Sequence, residues 1–193
     1  MSHPLKGIRP RALWSRGLIP SGPLSHRKGG ESIGPRLARG LGYLAEDSAQ
    51  GVDAFLASVA TRGEPHLWIT DRRDVEARDG GVVLRVTTLR GPPGTLDPKH
   101  VQELRGAVAA FLDEHGPGTT VIVDCVEVLA LHNGVERVVR ALEDLHEEVA
   151  MRDATLVVFL SSRGTNPRLA AWLEREFERL PADAAAAAER LLA

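Results

Sequence analysis

"TTVIVDCVEVLALHNGVERVVRALEDLHEEVAMRDATLVVFLSS", residues 119–162, is the stretch that decides the fold. It opens on TTVIVDCV, whose first five residues are an unbroken β-branched run. A strand with one wet face would alternate polar and apolar positions, so this run suits a strand covered on both faces of a parallel sheet. In GVERVVRALEDLHEEVAMRD, Val135, Val138, Val139, Leu142, Leu145 and Val149 recur at helical spacing. ATLVVFLSS is then a second buried strand. Strand, helix, strand is the crossover that joins two parallel strands.

The same alternation extends in both directions. GYLAED reads as a strand, and SAQGVDAFLASVATRG as a helix with Ser48 as N-cap, Val52, Phe55, Leu56 and Val59 inside, and Gly63 as its stop. PHLWITD and GVVLRVTT are strands. DPKHVQELRGAVAAFLDEHG is a helix in which Asp97 caps, Pro98 takes the first turn, and Val101, Leu104, Val108, Phe111 and Leu112 form the apolar face. NPRLAAWLEREFERLP is the last helix. The predicted fold is α/β, a three-layer αβα sandwich with a mostly parallel sheet over residues 41–181. An irregular arm, 1–40, precedes it, and an Ala-rich helical tail, 182–193, follows.

Charge divides along the same boundary. Residues 1–40 hold eight basic residues against one acid, Glu31, and residues 41–193 hold 16 against 25. A basic arm joined to an acidic body is expected to find acidic surfaces or phosphates. Prolines 4, 10, 20, 23 and 35 interrupt any long helix in the arm, which reads as disordered or as extended and docked on a partner. Arg9, Arg11, Trp14, Arg16, Arg27, Lys28, Arg36 and Arg39 are its candidate partner-binding residues, with Trp14 as the anchor. No stretch approaches the roughly 18 apolar residues of a membrane helix. One cysteine, Cys125, excludes an internal disulfide and fits a reducing, cytoplasmic setting.

Gly91-Pro92-Pro93-Gly94-Thr95 begins like the phosphate loop of an ATPase, G-x-x-x-x-G-K-[ST]. Its continuation fails. Leu96 stands where the second glycine belongs, Asp97 where the lysine belongs, and Pro98 where the hydroxyl belongs. Counting from Gly94 puts Lys99 and His100 at the glycine and lysine places. The first strand–helix junction, Ala45 to Asp53, has one glycine, no lysine and three acids, which repel a triphosphate. Asp124 ends a run like the strand that assists magnesium in such ATPases, but without a phosphate loop it has no phosphate to serve, and it reads instead as a polar strand end that caps a loop or a helix N-terminus.

These features together resemble a known family. Gly42, Tyr43 and Leu44 match its opening, Ile69, Thr70 and Arg72 its second block, and Asp124, Glu127, Leu129, Asn133, Val135 and Val138 its third. Over residues 41–180 the chain is similar to the domain of unknown function 835 family, although Cys125 replaces a usual glycine and Val128 a common aromatic. The resemblance implies a RecA/KaiC-type core whose nucleotide site has been lost, and a regulatory or scaffolding module rather than a reaction.

No catalytic, cofactor or metal residues are expected. The seven histidines show no ligand spacing, and no nucleophile elbow is present. Asp124, His132 and Asn133 form the candidate strand-end site, with Asn133 also able to cap the helix starting at Val135. Glu143, Asp144, Glu147 and Glu148 read as a solvated helix face. The expected function is a non-catalytic regulatory or scaffolding module that binds a protein partner through its arm. Homo-oligomerisation fits the same chemistry, and no membrane insertion is expected. Two alternatives are an atypical nucleotide-binding protein using Asp124 and a nucleic-acid-associated protein using the arm.

Overall fold

The computed structural model describes residues 37–47, 49–89, 93–161, 164–181 and 184. Its elements are β1 (Gly42–Asp47), α1 (Ala49–Thr61), β2 (His66–Thr70), β3 (Gly81–Val86), β4 (Thr95–Leu96), α2 (Glu103–His115) and β5 (Thr120–Val123). They continue with α3 (Val126–Asn133), α4 (Val135–Met151), β6 (Thr155–Ser161), α5 (Pro167–Glu176) and β7 (Glu178–Arg179). The strands form one seven-stranded sheet in the order β4-β3-β2-β5-β6-β1-β7, and every pairing is parallel.

Three layers follow from how the strand side chains divide. Val121 and Val123 of β5 and Leu156 and Val158 of β6 enter one core, which α2, α3, α4 and α5 cover. Ile122, Val157, Phe159, Tyr43 and Trp68 enter the other, where α1 lays down Val52, Phe55, Leu56 and Val59. Both faces of β5 and β6 are therefore dry, which is why those sequences carry no alternation.

Local structure departs from the sequence expectation at several places. The helix expected from Asp97 starts at Glu103. The Asp97 carboxylate instead accepts from Lys99 N at 3.0 Å, and three-residue turns follow at His100, Glu103 and Leu104. Pro98 O, which a helix from Asp97 would direct along its axis, accepts from Asn133 Nδ2 at 2.6 Å. That side chain fixes the turn outside the helix. The segment after Asp124 forms α3, a short helix that the sequence did not suggest. The loop through Gly94 contains β4, and the end of the last expected helix contains β7; each holds two residues and pairs with a neighbouring strand. Ser48, the arm from 1 to 36 and nearly all of the tail lie outside the described residues. Among the described residues, no helix is long and apolar enough to cross a membrane.

Candidate functional site

Parallel sheets collect loops at the carboxyl ends of their strands, where ligands bind in most such folds. Here β2 and β5 are neighbours with Ile69 opposite Val123, and Asp124 N donates to Ile69 O at 3.2 Å. This register sets Asp124 beside the Thr70–Arg72 turn. The turn is tied by Arg72 N donating to Thr70 Oγ1 at 3.2 Å.

Arg72 is the centre of the arrangement. Its Nε lies 3.2 Å from Asp124 Oδ2, and its other arm lies 3.6 Å from Asp53 Oδ2 on α1. Its guanidinium carbon stands 5.7 Å from the centroid of the Trp68 ring, a cation–π distance. The Asp124 side chain is wholly buried, whereas Arg72 is 26% and Asp53 45% exposed. A buried carboxylate at this end of the sheet is thus paired with a guanidinium that also reaches the first helix.

Cys125 lies beneath this group, with Sγ 3.6 Å from Ile69 O. Burial, and after it the charges of Asp124, Asp71 and Glu127, push its thiol well above the ordinary range. The thiol stays protonated and unreactive. Glu127, on the first turn of α3, accepts from Ser161 N at 2.8 Å and Thr165 Oγ1 at 2.7 Å, so it fastens α3 to the end of β6. Beyond it opens a cleft of about 740 Å³ lined by Glu127, Leu131, Gly134, Val135, Arg168 and Leu169, among others, with Leu131 82% exposed.

The expected strand-end trio does not come together. Asp124 faces Arg72, while His132 is exposed on the last turn of α3. Asn133 does not cap α4, whose N-cap is Gly134. Its Nδ2 donates to Leu129 O at 2.8 Å and to Pro98 O, because it still belongs to α3 and faces the turn before α2. Nor does Asp124 cap α3, since Cys125 holds that position.

The acidic run on α4 is only partly a solvated face. Glu148 is buried, accepting from Arg105 Nε at 2.8 Å and from Arg152, while Asp144 and Glu147 approach Arg105 at 3.4 and 3.6 Å. The hydrogen bond to Glu148 holds the Arg105 guanidinium above its ordinary value. Arg39 lies at the opposite end of the sheet, beside Gly118. The other candidate arm residues, Arg9, Arg11, Trp14, Arg16, Arg27, Lys28 and Arg36, lie outside the described residues, as do the side chains of Glu46 and Asp47.

Arg72, Asp53 and Glu127 carry no pattern of their own in the sequence that marks them as parts of one site. Arg72 and Glu127 stand out there only as family matches. A cation just past one buried strand and an acid just past another would have been the signal, but only the β2–β5 register makes them neighbours.

A family model described as "Protein of unknown function (DUF835)" matches residues 46–177, more than half of the chain and inside the span expected from the sequence. No curated protein matches the chain.

Proposed function

The chain belongs to this family of proteins of unknown function, and we propose that it is a non-catalytic regulatory or scaffolding module, docking on a protein partner through its basic segment 1–40. One observation carries the reading: the 3.2 Å contact between Arg72 Nε and Asp124 Oδ2. In an ATPase of RecA/KaiC type, an aspartate at the end of a buried strand serves a magnesium ion beside a phosphate loop. Here the corresponding aspartate faces a guanidinium of the same chain, and Asp97 and Pro98 stand where a phosphate loop counted from Gly91 would need lysine and hydroxyl. The parallel sheet and the position of Asp124 at the end of β5 support descent of the fold from such a core. The charge division supports the arm as the docking element in a cytoplasmic protein: 16 basic against 25 acidic residues in 41–193, and eight against one before them.

Calorimetry of the full chain with Mg-ATP tests the non-catalytic half. No heat of binding is expected, and micromolar binding lost in Asp124→Ala overturns it. The docking half predicts a stoichiometric complex with one protein partner on gel filtration, lost when residues 1–40 are deleted. Steeply salt-dependent binding to nucleic acid through the same residues, with no protein complex, would replace it with the nucleic-acid reading.

A further inference from the structure

Helices α4 and α5 run side by side in the same direction. Their first turns line the cleft at the carboxyl end of the sheet, and their later turns line a groove of about 280 Å³ with Glu143, His146, Glu147, Ala150, Trp172 and Glu176. Charge changes sign along this face. One end presents Arg137, Arg140 and Arg168, all exposed, with Glu136 as the exposed acid beside them. Among the described residues none of those three guanidiniums has an ion pair or hydrogen bond. The other end presents Glu143, Glu147 and Glu176, and Glu143 is unpaired in the same sense. Behind it Arg105 and Arg152 meet four carboxylates, Asp113, Asp144, Glu147 and Glu148, so negative charge is left over there.

Apart from Glu136, this order runs against the helix dipole, which favours acids in the first turns and bases in the last. A face turned only to water gains nothing from it. Exposed apolar side chains mark the same two ends. Leu131, 82% exposed, stands at the cleft with Val135, and Met151, 60% exposed, closes α4. With Leu89 they are the exposed large apolar residues among the described residues.

We propose that this face is a homodimer interface, in which a second copy lies antiparallel across α4 about a two-fold axis between Arg140 and Glu143. Turned end for end, each copy sets its arginines on the acids of the other, Arg140 opposite Glu143, and every such pair occurs twice. A parallel copy would stack like charges, so charge selects the orientation. At about 1.5 Å per residue, Met151 lies about 14 Å along α4 from that axis and Val135 about 10 Å on its other side. Met151 of each copy therefore comes to the Leu131–Val135 end of the other, and both exposed apolar residues are covered. The interface carries one meeting of like charges, Glu136 with Glu147, beside Arg137. A single helix face with its flanks covers no more than about 800 Å² per copy, which suits a dimer that dissociates in the micromolar range. The interface uses only residues of α3, α4 and α5, and it holds whether or not the arm docks on a protein.

Sedimentation equilibrium of the full chain from about 1 to about 300 µM, in about 0.05 M salt, tests this. A monomer–dimer equilibrium is expected, and a chain that stays monomeric throughout overturns the proposal. Arg137→Glu with Arg140→Glu should weaken the dimer about tenfold or more, and so should Glu143→Arg. All three positions are exposed, and circular dichroism checks that each variant is folded. Mixing the two variants should restore the dimer, because each offers the charge that the other now needs. A dimer indifferent to both reversals, or two weakened variants that do not recover on mixing, overturns the pairing. Chains with Met151→Cys and Leu131→Cys, mixed and oxidised, should form a disulfide with each other faster than either forms one alone; buried Cys125 does not compete. A mixed disulfide no faster than the homologous ones would show that the copies meet elsewhere, and would overturn the antiparallel arrangement.

Discussion

Asn133→Ala is the sharpest test of how the carboxyl end of the sheet is assembled. Asn133 Nδ2 donates to Pro98 O at 2.6 Å and to Leu129 O at 2.8 Å, tying the end of α3 to the turn before α2. Each such bond is worth about 1 kcal/mol net, and Pro98 is itself buried, so alanine should cost about 2 kcal/mol. In a domain of this size that lowers the melting temperature by about 4–8 °C. Asn133→Asp makes the stronger claim. An ionised carboxylate has only acceptors and would face two carbonyl oxygens, raising the cost to about 3–4 kcal/mol at pH 7. The aspartate's folded pKa then lies above its unfolded value of about 3.9. The excess cost over alanine is therefore full above the folded pKa and disappears as pH falls below the unfolded one, where the protonated acid can donate again. Urea denaturation of both variants at pH 7 and at about pH 3.5 checks this, with alanine as the reference that cancels every other titration. The reasoning fails if alanine costs less than about 0.5 kcal/mol. It fails equally if aspartate is no worse than alanine at pH 7, or if their difference widens in acid.

Other expectations follow from the same geometry. Arg72→Ala takes the guanidinium from the buried Asp124 carboxylate and should cost about 3 kcal/mol, with Asp124→Asn in the same chain recovering a large part; additive losses in the double-mutant cycle would show that the pair is not coupled. His66 is buried, with Nδ1 3.0 Å from Glu64 O, and burial holds its imidazole below the ordinary value. Its contribution should be fully present above about pH 6.5 and be lost as pH falls toward its lower folded value, whereas His66→Gln should flatten that part of the stability–pH curve. Cys125 should resist a thiol reagent in the folded chain and react at a rate that tracks opening in urea. Rapid reaction at neutral pH without denaturant would contradict its burial.

The sequence by itself determined the layer architecture. TTVIVDCV and ATLVVFLSS could only be dry on both faces, and the intervening helical spacing required a crossover, so parallel pairing followed from local pattern. It also showed that, counted from Gly91, Asp97 and Pro98 stand at the lysine and hydroxyl places of a phosphate loop. Other features were not legible, because their causes lie in the partner rather than in the segment. Thr95–Leu96 and Glu178–Arg179 are too short to carry a period and are strands only because β3 and β1 offer them an edge. VEVLALHN has apolar residues around much of its circumference, so α3 has no amphipathic signature to read. Asn133 before Gly134 looked like a cap for α4, yet the acceptor that fixes its role sits 35 residues away in sequence. The Asp124–Arg72 pair is the clearest case. Each residue lies just past its own strand, and nothing in either segment names the other. The β2–β5 register alone places a buried carboxylate beside a guanidinium, and with it the character of the whole carboxyl end.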